Sequence, residues 1–152
     1  MAEQRFFEDV EVGEEFNTSY KPEAEHVAQF FALTGSGRGG GGDGGSSSRF
    51  QSASTAKSEG LASPIVPGNM SLGLLTRLVT DWMGSEGHLR TVDVSYRRPV
   101  HHGDDLKGVG LVTHHDVDEN GEAIVELDIY LENQRGERPL QGTATVELPK
   151  RS

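Results

Sequence analysis

The sequence predicts an α+β fold in which an antiparallel sheet wraps around one long helix. Three observations carry this reading. From Ser71 onward, Leu74, Leu75, Leu78, Val79 and Trp82 recur at three- and four-residue steps, with Leu72 and Met83 widening the stripe. That is the period of a helix, and one this apolar is expected to be surrounded by other structure rather than rested on a surface. Beyond Leu89 the pattern switches to the two-residue alternation of strands. Finally, the 152 residues have the length of one domain with one core, so residues 1–152 read as a single unit.

The elements follow in chain order. Glu15 to Tyr20 reads as an edge strand after the Phe6-Phe7 pair and Gly13. Pro22 suits the first turn of a short helix, Glu23 and Glu25 favour its positive end, and Val27, Phe30, Phe31 and Thr34 mark its buried face. Gly35 is placed to cap it. A second short helix spans Ser52 to Glu59, with Ala53 and Ala56 as packing residues and Gly60 as its stop. Pro64 to Gly68 is extended and delivers the chain to the long helix, which Gly84 closes. Strands follow over Leu89–Arg97, with Val92, Val94 and Tyr96 on one face, and over Leu106–His114, Ala123–Leu131 and Leu140–Leu148. Pro99 interrupts the ladder after the first of these, and Asp118 to Gly121 has the composition of a hairpin turn. No internal repeat is present.

Composition excludes several classes. Hydrophobic residues make up 34%, and the 20 glycines bring the small and apolar total into the ordinary globular range, about 47%. A formal net charge of -10 argues against phosphate backbones or anionic lipid as partners. The absence of cysteine removes disulfides, thiolate metal sites and cysteine nucleophiles. Neither a signal peptide nor a membrane span is expected, and the expected compartment is the cytoplasm.

Residues 35–49, GSGRGGGGDGGSSSR, interrupt this domain as an insertion. Without apolar side chains to offset ordering entropy, the tract is predicted to be a mobile loop, dispensable for folding. Gly35, Gly37 and Gly40 fit a GxGxxG expression, but a helix precedes them where dinucleotide sites have a strand. Asp43 with Ser46, Ser47 and Ser48 offers polar chemistry, yet catalysis needs placement within about half an ångström, the opposite of what such a loop supplies. The pairs His101-His102 and His114-His115 suggest metal ligation, but neighbours on a strand point to opposite faces, so each pair offers one convergent ring at most. They read as solvated surface histidines, and no metal and no cofactor are expected.

Five motifs, in order along nearly the whole chain, carry a resemblance. They are Phe7-Glu8-Asp9-Val10 with Gly13; Phe30-Phe31-Ala32-Leu33-Thr34-Gly35; Pro64-Ile65-Val66-Pro67-Gly68-Asn69-Met70; Tyr96-Arg97-Arg98-Pro99-Val100 with Gly103-Asp104; and Gly142 to Pro149. In these the chain resembles the MaoC-like (R)-specific enoyl-CoA hydratases and dehydratases, lyases of fatty acid metabolism with a hotdog fold. The resemblance implies an acyl-CoA or related thioester as ligand, and a dimer whose acyl tunnel lies near the interface.

Active members of that family place an aspartate directly after the Thr-Gly ending the first helix, a histidine five residues later, and a second aspartate two beyond that. Aspartate and histidine hold one water and share the proton transfers at the α- and β-carbons. Here Ser36 takes the first position and, counting back from Pro64 and Gly68, Phe50 and Ser52 take the others. Pro67 replaces a further family histidine. Serine and phenylalanine do not titrate near neutral pH, so the dyad reads as missing. The binding half is retained in this comparison: Gly68 and Asn69 begin the long helix, where N–H groups would meet a thioester carbonyl, and Thr76 matches a small hydroxyl residue of the family. The helix start is served either in this way or by Asn69 acting as its cap.

Three functions remain open at this point. The chain is a noncatalytic subunit paired with a second hotdog chain, a homo-oligomer that binds acyl-CoA alone, or an enzyme using other groups, such as a thioesterase or lyase.

Overall fold

The computed structural model describes residues 3–34 and 49–151. Ser36, Asp43, the three consecutive serines and the GxGxxG match all lie outside the described residues, as does Gly35 as a helix cap.

A short 3-10 turn, Phe7–Asp9, leads into β1 (Glu15–Tyr20) and α1 (Ala24–Thr34). Then come α2 (Ala53–Ser58), α3 (Gly68–Met83), β2 (His88–Tyr96), β3 (Leu106–Val117), β4 (Ala123–Glu132) and β5 (Leu140–Glu147). The strands form one antiparallel sheet in the order β1-β3-β4-β5-β2. α3 packs against all five, so the α+β architecture, a sheet curled around one long helix, is as the periodicities predict.

The inner face of the sheet follows the two-residue rule. Val125, Leu127, Ile129 and Leu131 of β4 are buried, as are Leu140, Ala144 and Val146 of β5. From α3, Leu75, Leu78, Val79 and Met83 enter this core. The helix is not surrounded, however. Asn69, Gly73, Arg77 and Asp81, spaced at four residues, form an exposed polar stripe, and Arg77 pairs with Asp81 at 3.4 Å. Leu74 and Trp82 are only half-buried at its flanks.

Two smaller expectations also change. Pro22 is buried before α1 rather than inside its first turn, and the Glu23 N–H donates to His26 Nδ1 at 2.9 Å at the helix start. In α2 only Ala56 is buried, while Ala53 is exposed. The helix begins because Ser52, the residue at the second family aspartate position, accepts the Thr55 N–H at 3.3 Å.

Two hairpin loops use the same five-residue grammar. In Asp118-Glu119-Asn120-Gly121-Glu122 the Asp118 carboxylate accepts the N–H groups of Asn120 and Glu122 at 2.9 and 2.8 Å. In Asn133-Gln134-Arg135-Gly136-Glu137 the Asn133 carbonyl oxygen accepts those of Arg135 and Glu137 at 2.9 and 3.1 Å. Gly121 and Gly136 have φ of +80° and +78°, a conformation that side chains disfavour.

Candidate functional site

The chain before α3 is held as a narrow extended strap. The Val66 N–H donates to the Val100 carbonyl at 2.6 Å, the His102 N–H to that of Pro64 at 3.2 Å, and the Ile65 N–H to that of Arg49 at 3.0 Å. These bonds bring Arg49 and Phe50, the segment before α3 and the end of β2 to one place. A pocket of about 430 Å³ opens there, at the first turn of α3.

Its wall is apolar, made by Phe50, Ile65, Val66, Val100 and Leu140. Phe50 packs at 5.6 Å on Phe31, which meets Phe30 at 5.9 Å. Polar character comes from Gly68 and Ser71 of α3, from Tyr96, and from three arginines, Arg49, Arg97 and Arg98. The Tyr96 hydroxyl donates to the Gly68 carbonyl at 3.2 Å, and its ring lies so close that a Cβ on residue 68 would sit 3.1 Å from Cε1. Gly68 therefore admits the aromatic ring against the helix start.

The first turn keeps unspent donors. Pro67 is the N-cap residue and has no side-chain capping bond. Met70 and Ser71 donate to the Pro67 carbonyl at 3.0 and 3.2 Å, whereas the N–H groups of Gly68 and Asn69 have no acceptor among the described residues. Asn69 is exposed and is the second residue of the helix, so the alternative in which it caps α3 is not realised. Orphan donors and the positive end of the helix dipole together favour an oxygen acceptor at this place.

The arginines add positive charge in a chain of net charge -10. Arg49 lies over the Phe50 ring at 5.0 Å and 3.6 Å from Glu59. Arg98 pairs with Glu137 at 3.1 Å. The Arg135 guanidinium and then the Asn133 side chain hold the Glu137 carboxyl below its ordinary range, so it stays ionised beside Arg98.

Of the residues singled out in the sequence, Phe50 and Gly68 line the pocket. Asn69 adjoins it through the first turn, and Thr76 is half-buried further along α3, away from its lining. The histidines correct the surface reading. His101 Nδ1 lies 2.8 Å from Ser63 Oγ, and His115 Nε2 is 2.7 Å from the Phe7 carbonyl with its ring stacked on Phe7 at 4.0 Å. Both are half-buried ties between segments; His114 is the exposed one. Among the described residues no group of three His, Cys, Asp or Glu side chains is placed to hold a metal. No described helix is long and apolar enough to cross a membrane.

Sequence reasoning missed Ser71, Tyr96 and the three arginines as site residues. Ser71 counted as one step of an apolar stripe, and the rest converge only through the strap.

No family model matches the chain, and no curated protein matches it. Solved structures do. The (R)-hydratase from A. caviae, involved in PHA biosynthesis, is 25% identical with a TM-score of 0.76, over 92% of this chain and 98% of that one. A MaoC-like dehydratase from Rhodospirillum rubrum is 21% identical with a TM-score of 0.77, over 97% of this chain and 99% of that one. A chain of the ChsH1-ChsH2 complex from Mycobacterium tuberculosis is 17% identical with a TM-score of 0.73, over 91% of this chain and 98% of that one. With the strand order and helix just described, these neighbours show that the chain has a hotdog fold similar to that of (R)-hydratases and MaoC-like dehydratases.

Proposed function

We propose that the chain binds an acyl thioester such as an acyl-CoA at the first turn of α3 and serves as the noncatalytic half of a hetero-oligomeric hydratase. The observation that carries this is Phe50. It stands where the family resemblance implies a histidine, and its ring forms pocket wall against Phe31. A phenyl ring neither accepts nor delivers a proton, so hydration through that position has no general base or acid. Ser36, at the aspartate position, is equally unsuited. Meanwhile the Gly68 and Asn69 donors and the surrounding arginines suit a thioester carbonyl and an anionic carrier.

Two further features support a partner. Among the described residues β2 is an edge strand with an unpaired side, and Val92 and Val94 along it are only half-buried. One structural neighbour is itself part of a two-protein complex. We place the assembly in the cytoplasm.

The test is hydration of crotonyl-CoA, followed by loss of the enoyl absorbance. The isolated chain is expected to show none above buffer. A partner hotdog chain that co-purifies and carries an aspartate and histidine should supply the activity. Alternatively, Ser36→Asp with Phe50→His and a shortened glycine tract should restore some, and either change alone little. Hydration by the unmodified isolated chain would overturn the noncatalytic reading. Sedimentation should show at least a dimer at micromolar concentration; a stable monomer would remove the partner.

A further inference from the structure

Three polar side chains are buried among the described residues: Ser71, Asp104 and Asn133. Two are fully employed in holding loops. Asp104 accepts the His101 N–H at 2.9 Å and Gln134 Nε2 at 3.0 Å. Asn133 accepts two loop N–H groups and donates to Glu137 Oε1 at 3.0 Å. Ser71 is different: it is 2% exposed, and its hydroxyl has no hydrogen-bond partner among the described residues.

A serine inside a helix usually recovers its bond by donating to the carbonyl four residues back. For Ser71 that carbonyl belongs to Pro67, and it is occupied by the N–H groups of Met70 and Ser71. Among the described residues the wholly buried side-chain atoms without a partner are Arg5 Nε and His102 Nε2, so the Ser71 oxygen, in a residue only 2% exposed, opens onto the pocket with its donor unspent. Ser71 lines the same pocket as Gly68, three residues away and hence on the same helix face.

We propose that Ser71 is a specificity-determining residue that donates its hydroxyl hydrogen to the carbonyl oxygen of the bound acyl thioester. It acts beside the free N–H groups of the first turn. This inference rests on the thioester-binding reading of the pocket. It assigns a side chain, rather than backbone alone, the discrimination between a ligand with a carbonyl at this point and one without. A site built around a hydrogen bond rejects the analogue that lacks the acceptor because its own buried group is then stranded.

The test compares crotonyl-CoA with S-butyl-CoA, a thioether that keeps the carrier and a four-carbon chain but has no carbonyl. Binding to the full-length chain is measured by calorimetry for the unmodified protein and for Ser71→Ala. The unmodified protein should prefer the thioester, and Ser71→Ala should reduce that preference about three- to tenfold, the worth of one neutral hydrogen bond. Thioether affinity should stay the same or rise. A preference unchanged in Ser71→Ala, with crotonyl-CoA still bound, would overturn the role of Ser71 and leave the pocket reading intact. Failure of the unmodified protein to bind either compound would overturn both. Ser71→Ala removes one atom from a helix, and an unchanged melting temperature confirms that the comparison is made on folded protein.

Discussion

The two ends of α3 are built on opposite plans. At the C-terminal end the N-terminal segment supplies partners for the Met83 carbonyl, the Glu86 N–H and the Trp82 indole N–H. Gln4 donates through Nε2 to the Met83 carbonyl at 2.8 Å, and its Oε1 accepts the Glu86 N–H at 2.9 Å. Nearby, Trp82 donates to Glu14 at 2.9 Å, stacks on Phe16 at 4.6 Å and lies under Arg5, which also pairs with Glu14. At the N-terminal end the cap is a proline without a side-chain bond, two N–H groups have no acceptor among the described residues, and the Ser71 hydroxyl makes no hydrogen bond to the described residues although it lines the pocket. The difference separates a helix end tied into the fold from one whose donors remain unspent, the end at which the proposed thioester would bind.

The largest expected effect comes from breaking the closed end. Gly84 has φ +80° and ψ 173°, a region open essentially only to glycine, and a Cβ there would lie 2.5 Å from Gln4 Oε1. Gly84→Ala should therefore combine backbone strain with displacement of Gln4, about 3 kcal/mol in all. At fixed protein concentration that lowers the melting temperature by roughly 6–12 °C. A loss below about 1 kcal/mol would mean that Gln4 does not clamp this end.

Removing only the clamp should cost less. Gln4→Ala deletes the bond to Met83 and frees the Glu86 N–H, both in partly solvated surroundings, for about 1 kcal/mol or roughly 2–4 °C. If the two ends are energetically independent, acyl-CoA affinity should not change. A coupled loss of affinity would make the strap part of the site and blur the contrast.

These two ends were not equally legible in the sequence. The stripe through Leu75, Leu78 and Val79 announced α3, and the alternation in β4 and β5 announced the sheet, because burial on one face imposes a period. Gly84 as a stop was legible as well. Gln4, eighty residues away, was not, since nothing local marks a glutamine as a helix cap. The site shows the same limit. Gly68 and Phe50 emerged from motif spacing, but Ser71 looked like a small packing residue, and Arg49, Arg97 and Arg98 meet only after the strap has folded. One omission was avoidable: Asn133 to Glu137 repeats the Asx-x-x-Gly-Glu pattern of Asp118 to Glu122, with the same bonds.

The open end should respond to mutation with little or no loss of stability. Ser71→Ala removes a hydroxyl that makes no bond to the described residues, so the lost van der Waals contact and the relieved desolvation nearly cancel. The change should lie within about 1 kcal/mol of zero. A loss of 2 kcal/mol or more would mean that Ser71 has a structural partner and would erase the asymmetry between the ends.

The smallest effect tests the electrostatic side of the comparison. Asn69 is exposed in the first turn of α3, next to the unpaired donors. Asn69→Asp places a negative charge at the positive end of the helix dipole, which should stabilise the protein by about 0.3–1 kcal/mol at low ionic strength and less as salt rises. The same charge opposes an anionic acyl carrier and competes with a carbonyl for the donors, so crotonyl-CoA affinity should fall while stability rises. At the closed end the Met83 carbonyl and the Glu86 and Trp82 N–H groups already have their partners, and no single charge is expected to separate stability from binding in this way. If Asn69→Asp leaves affinity untouched at low salt, the ligand does not approach the first turn of α3, and the unspent donors there require another explanation.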